Sequence, residues 1–204
     1  MTPNTLLQKY PIVSDQITSS ELLVLLRELQ SVLQKNVVGD VVELGCFEGT
    51  SALFEARLLQ ALAPHKQLWL YDSFEGLPPK TVQDQSPAGM QFKQGELNAS
   101  KSKLQAHFKK AHLPLPHIKK AWFNQLVPTD LPFQICFAFL DGDFYGSIKD
   151  SLKLVWPKMA PGGVILVDDY QNEALPGAAK AVDEFAMHYN LKVTAEKSLG
   201  TIRL

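Results

Sequence analysis

Six consecutive apolar residues, Ile135–Leu140, are interrupted by no polar side chain. A strand lying on one core alternates apolar and polar residues, so an unbroken run belongs at the centre of a parallel sheet, buried on both faces. A second run, Val164-Ile165-Leu166-Val167, follows after Pro161-Gly162-Gly163. Between the runs Ile148, Leu152, Val155, Trp156 and Met159 keep the spacing of one helical face. Strand, helix and parallel strand form the unit from which α/β sheets are built.

The same alternation runs through the chain. Thr18-Ser19-Ser20-Glu21 has the form of a capping box, and Leu22, Leu25, Leu26, Leu29, Val32 and Leu33 follow at helical spacing. Residues 1–36 are therefore an N-terminal helical segment. Strands are expected at Val41–Leu44, Leu68–Tyr71, Ile118–Phe123, Leu191–Ala195 and Thr201–Leu204, with Gly200 separating the last two. Helices are expected from Thr50 to Ala63, over about 100–112, and through Ala178, Ala181, Val182, Phe185, Ala186 and Tyr189. The predicted fold is α/β: one doubly wound domain over 1–204, with a mostly parallel seven-stranded sheet and helices on both faces. Residues 73–98 show no period and contain Pro78, Pro79, Pro87 and three glycines. So long an aperiodic segment is expected to be a functional lid.

Composition narrows the classes. The formal charge of −1 gives no global pull towards nucleic acid or an anionic membrane. No apolar run approaches the roughly 20 residues of a membrane span. The start, Met1-Thr2-Pro3-Asn4, lacks a signal-peptide pattern, and Cys46 and Cys136 both sit in apolar stretches. A cytoplasmic protein with reduced thiols is expected.

Ligands of such sheets bind beyond the carboxyl ends of the strands, so the residues ending each strand are the candidates. After the first strand come Gly45 and Gly49, which either let backbone approach a ligand or only make a tight turn. They do not form a GxGxxG dinucleotide fingerprint. Asp72 ends the next strand, 27 residues beyond Gly45, as a ribose acceptor or a turn cap. Trp122-Phe123 stands at the expected adenine edge, with core packing an equal alternative. Two further strands end in Asp141-Gly142-Asp143 and Asp168-Asp169. Two such carboxylates about 4 Å apart repel by roughly 4 kcal/mol at an effective dielectric of 20, which Mg²⁺ with its taste for oxygen ligands resolves. Asp168 and Asp169 can share one ion only if the chain is already turning there, since neighbouring strand residues point to opposite faces.

The stretches GDVVELGCFEGTSAL (39–53), YDSFEGLPP (71–79), FLDGDFYGSIKDSL (139–152), PGGVILVDDY (161–170) and GAAKAVDEF (177–185) together resemble the macrocin O-methyltransferase family. That family is a branch of the class I S-adenosylmethionine-dependent methyltransferases, and the resemblance covers about residues 37–190. It implies that Glu43, Gly45 and Gly49 line the methionine end of S-adenosylmethionine, with Asp72 and its neighbour Ser73 at the ribose and Trp122 completing the cofactor set. It implies Asp141, Asp168 and Asp169 as Mg²⁺ ligands, and a small-molecule hydroxyl, on a sugar or other natural product, as acceptor. Catechol-type relatives place a lysine base where this chain has Phe144, so Asp141 itself or a lid residue is expected to take the hydroxyl proton. The alternatives are a nucleotide-sugar glycosyltransferase using Asp141 and Asp143, or a non-catalytic adenosyl-binding domain. No nucleic-acid or membrane partner is expected; the chain is either a monomer or a homo-oligomer.

Overall fold

The computed structural model describes all residues 1–204, and its strands form one seven-stranded sheet. The strands are β1 (Asp40–Leu44), β2 (Leu68–Asp72), β3 (His117–Lys120), β4 (Ile135–Leu140), β5 (Met159–Val167), β6 (Val193–Glu196) and β7 (Leu199–Arg203). Their order is β3-β2-β1-β4-β5-β7-β6. The first five in that order pair in parallel, while β7 runs antiparallel to both β5 and β6. The chain works outward from β1 to β3, then returns to lay β4 on the other side of β1. That reversal opens a crevice at the carboxyl ends of β1 and β4.

The unbroken apolar runs serve two cores at once. Phe137, Phe139, Val164 and Leu166 pack into one, with α1 (Pro3–Lys9), α2 (Ser19–Gln34), α3 (Thr50–Leu62) and α4 (Lys101–Lys110). Their neighbours Ala138, Leu140, Ile165 and Val167 pack into the other, with α5 (Tyr145–Val155) and α6 (Pro176–Tyr189). Every residue of β4 is buried, and each large side chain there contributes about 1.5–3 kcal/mol. At the start of α2 the Thr18 backbone N–H donates to Glu21 Oε2 at 2.8 Å, and Glu21 N–H returns a bond to Thr18 Oγ1 at 3.3 Å. The capping box is formed as its sequence requires.

The structure departs from the sequence reading at three places. Met159 is not the end of a helix: Pro157 sits in a 3-10 turn at Trp156–Lys158, and Met159 already pairs with Ile135 in the sheet. The third strand stops at Lys120, because its partner β2 ends opposite it at Asp72. Trp122 and Phe123 therefore lie in the following turn. Gly200 is inside β7, paired with Val167; a Cβ there would meet the Tyr170 ring at 2.7 Å. The turn between the last strands falls at Lys197, whose φ is +58°. Residues 73–98 carry only two 3-10 turns, Val82–Asp84 and Pro87–Gly89.

Candidate functional site

The crevice holds a cavity of about 370 Å³. Its walls include Gly45, Asp72, Ser73, Trp122, Asp141 and Asp169, drawn from four strand ends and the turn after β3. No lysine, arginine or histidine lines it.

Gly45 makes the close approach on which the crevice depends. Its φ is +94°, and a Cβ would stand 1.7 Å from the Asp141 carbonyl oxygen. Only glycine fits there. Asp72 then holds the loop beyond it. One carboxylate oxygen, Oδ2, accepts the N–H groups of Cys46 and Phe47 at 2.9 Å each, and Oδ1 accepts Phe74 N–H at 2.7 Å. The side chain is only half-buried and faces the cavity, so it retains acceptor capacity for a ligand while capping the turn. Both sequence readings of Asp72 are thus compatible with one geometry. Ser73 lines the cavity beside it, its hydroxyl accepting Glu75 N–H at 3.1 Å.

Glu43 and Gly49 stand elsewhere. Glu43 is wholly buried beneath the turn, where Ser51 Oγ donates to it, and it is absent from the cavity wall. Burial first, and the Asp72 charge second, push its carboxyl up to about 8. Glu55, also buried, is raised well above the carboxylate range by burial and by Glu43. Gly49 opens α3 with φ +90° and packs against Leu104, where a Cβ would meet Cδ1 at 2.2 Å. Cys46 is buried and its thiol is held far above its ordinary value by burial, which removes it as a nucleophile.

The acids of β4 and β5 meet across the crevice. One carboxylate oxygen from each of Asp141, Asp143 and Asp169 lies within 4.8 Å of the others. Asp143 and Asp169 both take φ of +58°, so the chain is turning at each and brings the side chain round into the cavity. Asp168 lines the same cavity, but its Oδ1 already accepts Asp169 N–H at 2.8 Å and Ser198 Oγ at 3.2 Å. Asp143, part of the acidic strand end but outside the Mg²⁺ set that the resemblance implies, thus joins the close triplet, with Asp168 at its margin. Asn172 Nδ2 donates to Asp169 at 2.7 Å and orients it.

Electrostatics follow from this crowding. Burial, then the charges of Asp168, Asp143 and Asp169, raise Asp141 far above its ordinary value. Asp143 is raised by burial and by Asp169 and Asp168. Asp168 is pushed up to about 8 by burial and by Asp169, and Asp169 is raised by burial. Crowding and burial thus both oppose full ionisation of the cluster, and a bound cation would offset its charge. An all-oxygen, all-carboxylate donor set suits a hard divalent ion such as Mg²⁺.

Two features escaped the sequence reading. Apolar residues Phe92, Leu97 and Leu175 complete the cavity wall, and no periodicity marks them. Asp84, in the aperiodic segment, has no exposed surface; the spacing Thr81-Val82-Gln83-Asp84 was a capping signal that could have drawn attention to it.

A family model described as macrocin-O-methyltransferase (TylF) matches residues 8–197. The mycinamicin III 3''-O-methyltransferase of Micromonospora griseorubida is 29% identical over 189 residues, spanning 87% of this chain and 72% of that protein. The 8-demethyl-8-(2,3-dimethoxy-alpha-L-rhamnosyl)-tetracenomycin-C 4'-O-methyltransferase of Streptomyces olivaceus is 28% identical over 180 residues, 85% of this chain and 67% of that one. The solved structure of the O-methyltransferase NovP superposes with a TM-score of 0.79 at 25% identity, covering 92% of this chain and 80% of its own.

Proposed function

The chain belongs to the macrocin O-methyltransferase family and is an S-adenosylmethionine-dependent O-methyltransferase; from that premise we propose that it methylates a hydroxyl of a small molecule without negative charge, a sugar or other natural product, at a metal-assisted site in the crevice. The observation that carries the reading is the meeting of the Gly45–Asp72 turn with the Asp141, Asp143 and Asp169 carboxylates in one cavity.

Asp72 is assigned to the ribose hydroxyls, with Ser73 beside it and Trp122 bordering the adenine. Asp141 and Asp169 would hold Mg²⁺, with Asp143 or Asp168 as the further acid. When bound, the ion lowers the pKa of the acceptor hydroxyl and offsets the crowded negative charge. Asp141 is assigned as proton acceptor. Phe144 leaves no lysine base at its position, and Asp141 lines the cavity within reach of an acceptor hydroxyl. S-adenosylmethionine would supply the methyl group to the acceptor oxygen, its sulfonium becoming the neutral thioether of S-adenosylhomocysteine, while Asp141 would take the acceptor's O–H proton. The chain's larger contribution is in-line positioning of an already activated methyl group. Residues 73–98 act as a lid whose Leu77, Phe92 and Leu97 keep water from the site.

The acceptor is not anionic, because no cationic side chain lines the cavity to receive a phosphate or carboxylate, whereas six aspartates would repel one. The Streptomyces olivaceus relative reported above has by its name a rhamnosyl-bearing acceptor, which supports the same class. A methylation screen of hydroxylated compounds, each neutral one paired with its phosphorylated analogue and run with Mg²⁺ or chelator, tests this. Neutral compounds are expected to be methylated, and only with metal. Preference for the phosphorylated member overturns the acceptor class, and undiminished activity in chelator overturns the metal.

A further inference from the structure

We propose that Asp84 is a positioning residue: it latches the 73–98 segment onto the N-terminus of α5 and thereby fixes the Asp141–Phe144 loop that leads into that helix. The inference rests on the metal-assisted reading of the crevice and adds to it the part that holds the acidic loop still.

A fully buried carboxylate in a surface segment is costly unless its oxygens are satisfied. Both oxygens of Asp84 are. Oδ2 accepts Thr81 N–H at 2.8 Å and Thr81 Oγ1 at 2.6 Å, closing the segment's own turn. Oδ1 accepts Tyr145 N–H at 2.6 Å, reaching across 61 positions to the first residue of α5. That helix needs an external cap, because Phe144 occupies its N-cap position and offers no acceptor. No lysine or arginine pairs with Asp84, so compensating positive charge comes from helix N-termini, that of α5 by a direct hydrogen bond.

The surroundings are shaped to the latch. Gly177, in the first turn of α6, makes room for it; a Cβ there would lie 1.8 Å from Asp84 Oδ1 and 2.8 Å from Tyr145 N. Nearby the segment is seated on the loop after Asp169. Ser86 Oγ donates to the Glu173 carbonyl at 2.6 Å, and Gly89 lies so close to the Ala174 carbonyl that a Cβ would stand 2.0 Å from it. Leu77 of the segment, Phe144 and Leu175 form a small buried cluster of their own. The segment thus bridges the loops carrying Asp141 with Asp143 and Asp169. Lifting it uncaps α5 and frees the loop between β4 and that helix.

The test uses the full chain with S-adenosylhomocysteine, comparing wild type with Asp84→Ala, Asp84→Asn and Gly177→Ala. The readouts are protease cleavage within 73–98, Mn²⁺ affinity by paramagnetic resonance, and S-adenosylhomocysteine affinity by calorimetry. Asp84→Ala is expected to speed cleavage and weaken Mn²⁺ by about tenfold each, the scale of a lost charge-assisted hydrogen bond, with nucleoside affinity within about twofold. Asp84→Asn keeps an acceptor for Tyr145 N–H and is expected to fall between. Gly177→Ala leaves the carboxylate in the chain but displaces it, and is expected to reproduce the alanine pattern. Wild-type cleavage and Mn²⁺ affinity in Asp84→Ala and Gly177→Ala would overturn the proposal. So would an unfolded Asp84→Ala beside wild-type behaviour in the other two variants. Should wild type bind no Mn²⁺, the metal reading fails, and cleavage alone decides for or against the latch.

Discussion

Asp72→Ala tests the most heavily used side chain in the crevice, and the structure divides its effect into two parts. The first is intrinsic to the fold. Three backbone N–H groups, of Cys46, Phe47 and Phe74, lose their acceptor. Because the site is half-open, water replaces part of each bond, leaving a net loss of about 1 kcal/mol apiece, or about 3 kcal/mol in all. The second part belongs to the cofactor: a carboxylate accepting ribose hydroxyls contributes roughly 1–3 kcal/mol to binding, a factor of about ten to a hundred in affinity. Urea denaturation reads the first and calorimetry with S-adenosylmethionine the second. Asp72→Asn refines the result, since its amide oxygen can still serve Cys46 and Phe47 while its NH₂ group confronts Phe74 N–H. A ribose-deoxygenated cofactor analogue completes a cycle: removing the hydroxyls should weaken binding to wild type but hardly at all to Asp72→Ala. Unchanged affinity in Asp72→Ala removes the ribose assignment. A stability loss well below about 1 kcal/mol refutes its role in holding the turn.

The acidic cluster sets a pH signature. Carboxyls whose folded pKa is raised, Asp168 to about 8 with Asp141 and Asp143 also raised, bind more protons folded than unfolded, so stability should fall as pH climbs from about 4 to about 8. Mg²⁺ should accordingly raise the melting temperature more near pH 8 than near pH 5, and equal shifts at both would count against a metal site built from these acids. Gly45→Ala must put a methyl group 1.7 Å from the Asp141 oxygen at a φ of +94°, so it should lose several kcal/mol or fail to fold; Gly146→Ala, with nothing within 4 Å, should retain wild-type stability by denaturation. Asp141→Asn separates two roles in single-turnover methylation. Recovery at high Mg²⁺ would mark Asp141 as a ligand only, whereas the proton-acceptor assignment requires it to stay inactive at saturating metal.

The sequence by itself determined the layers of this protein. An unbroken run such as Ile135–Leu140 can be satisfied only between two cores, and the structure supplies both. Asp72, Asp141, Asp168 and Asp169 were legible because a parallel sheet delivers the residues after its strands to a single edge, whatever the rest of the fold does. The tertiary structure alone decided which of the candidates face one another. Glu43 belongs to β1 in sequence, yet its side chain points beneath the turn towards Ser51 rather than into the cavity. Asp143 enters the carboxylate triplet because its φ is +58°, a local conformation that no hydrophobic pattern encodes. Asp84 shows the limit most plainly. Its capping turn is local and readable, but its bond to Tyr145 N–H spans 61 positions and depends on the room left by Gly177. Strand and helix periods report which face of an element is buried; a polar contact between distant segments leaves no period, and only the folded chain shows it.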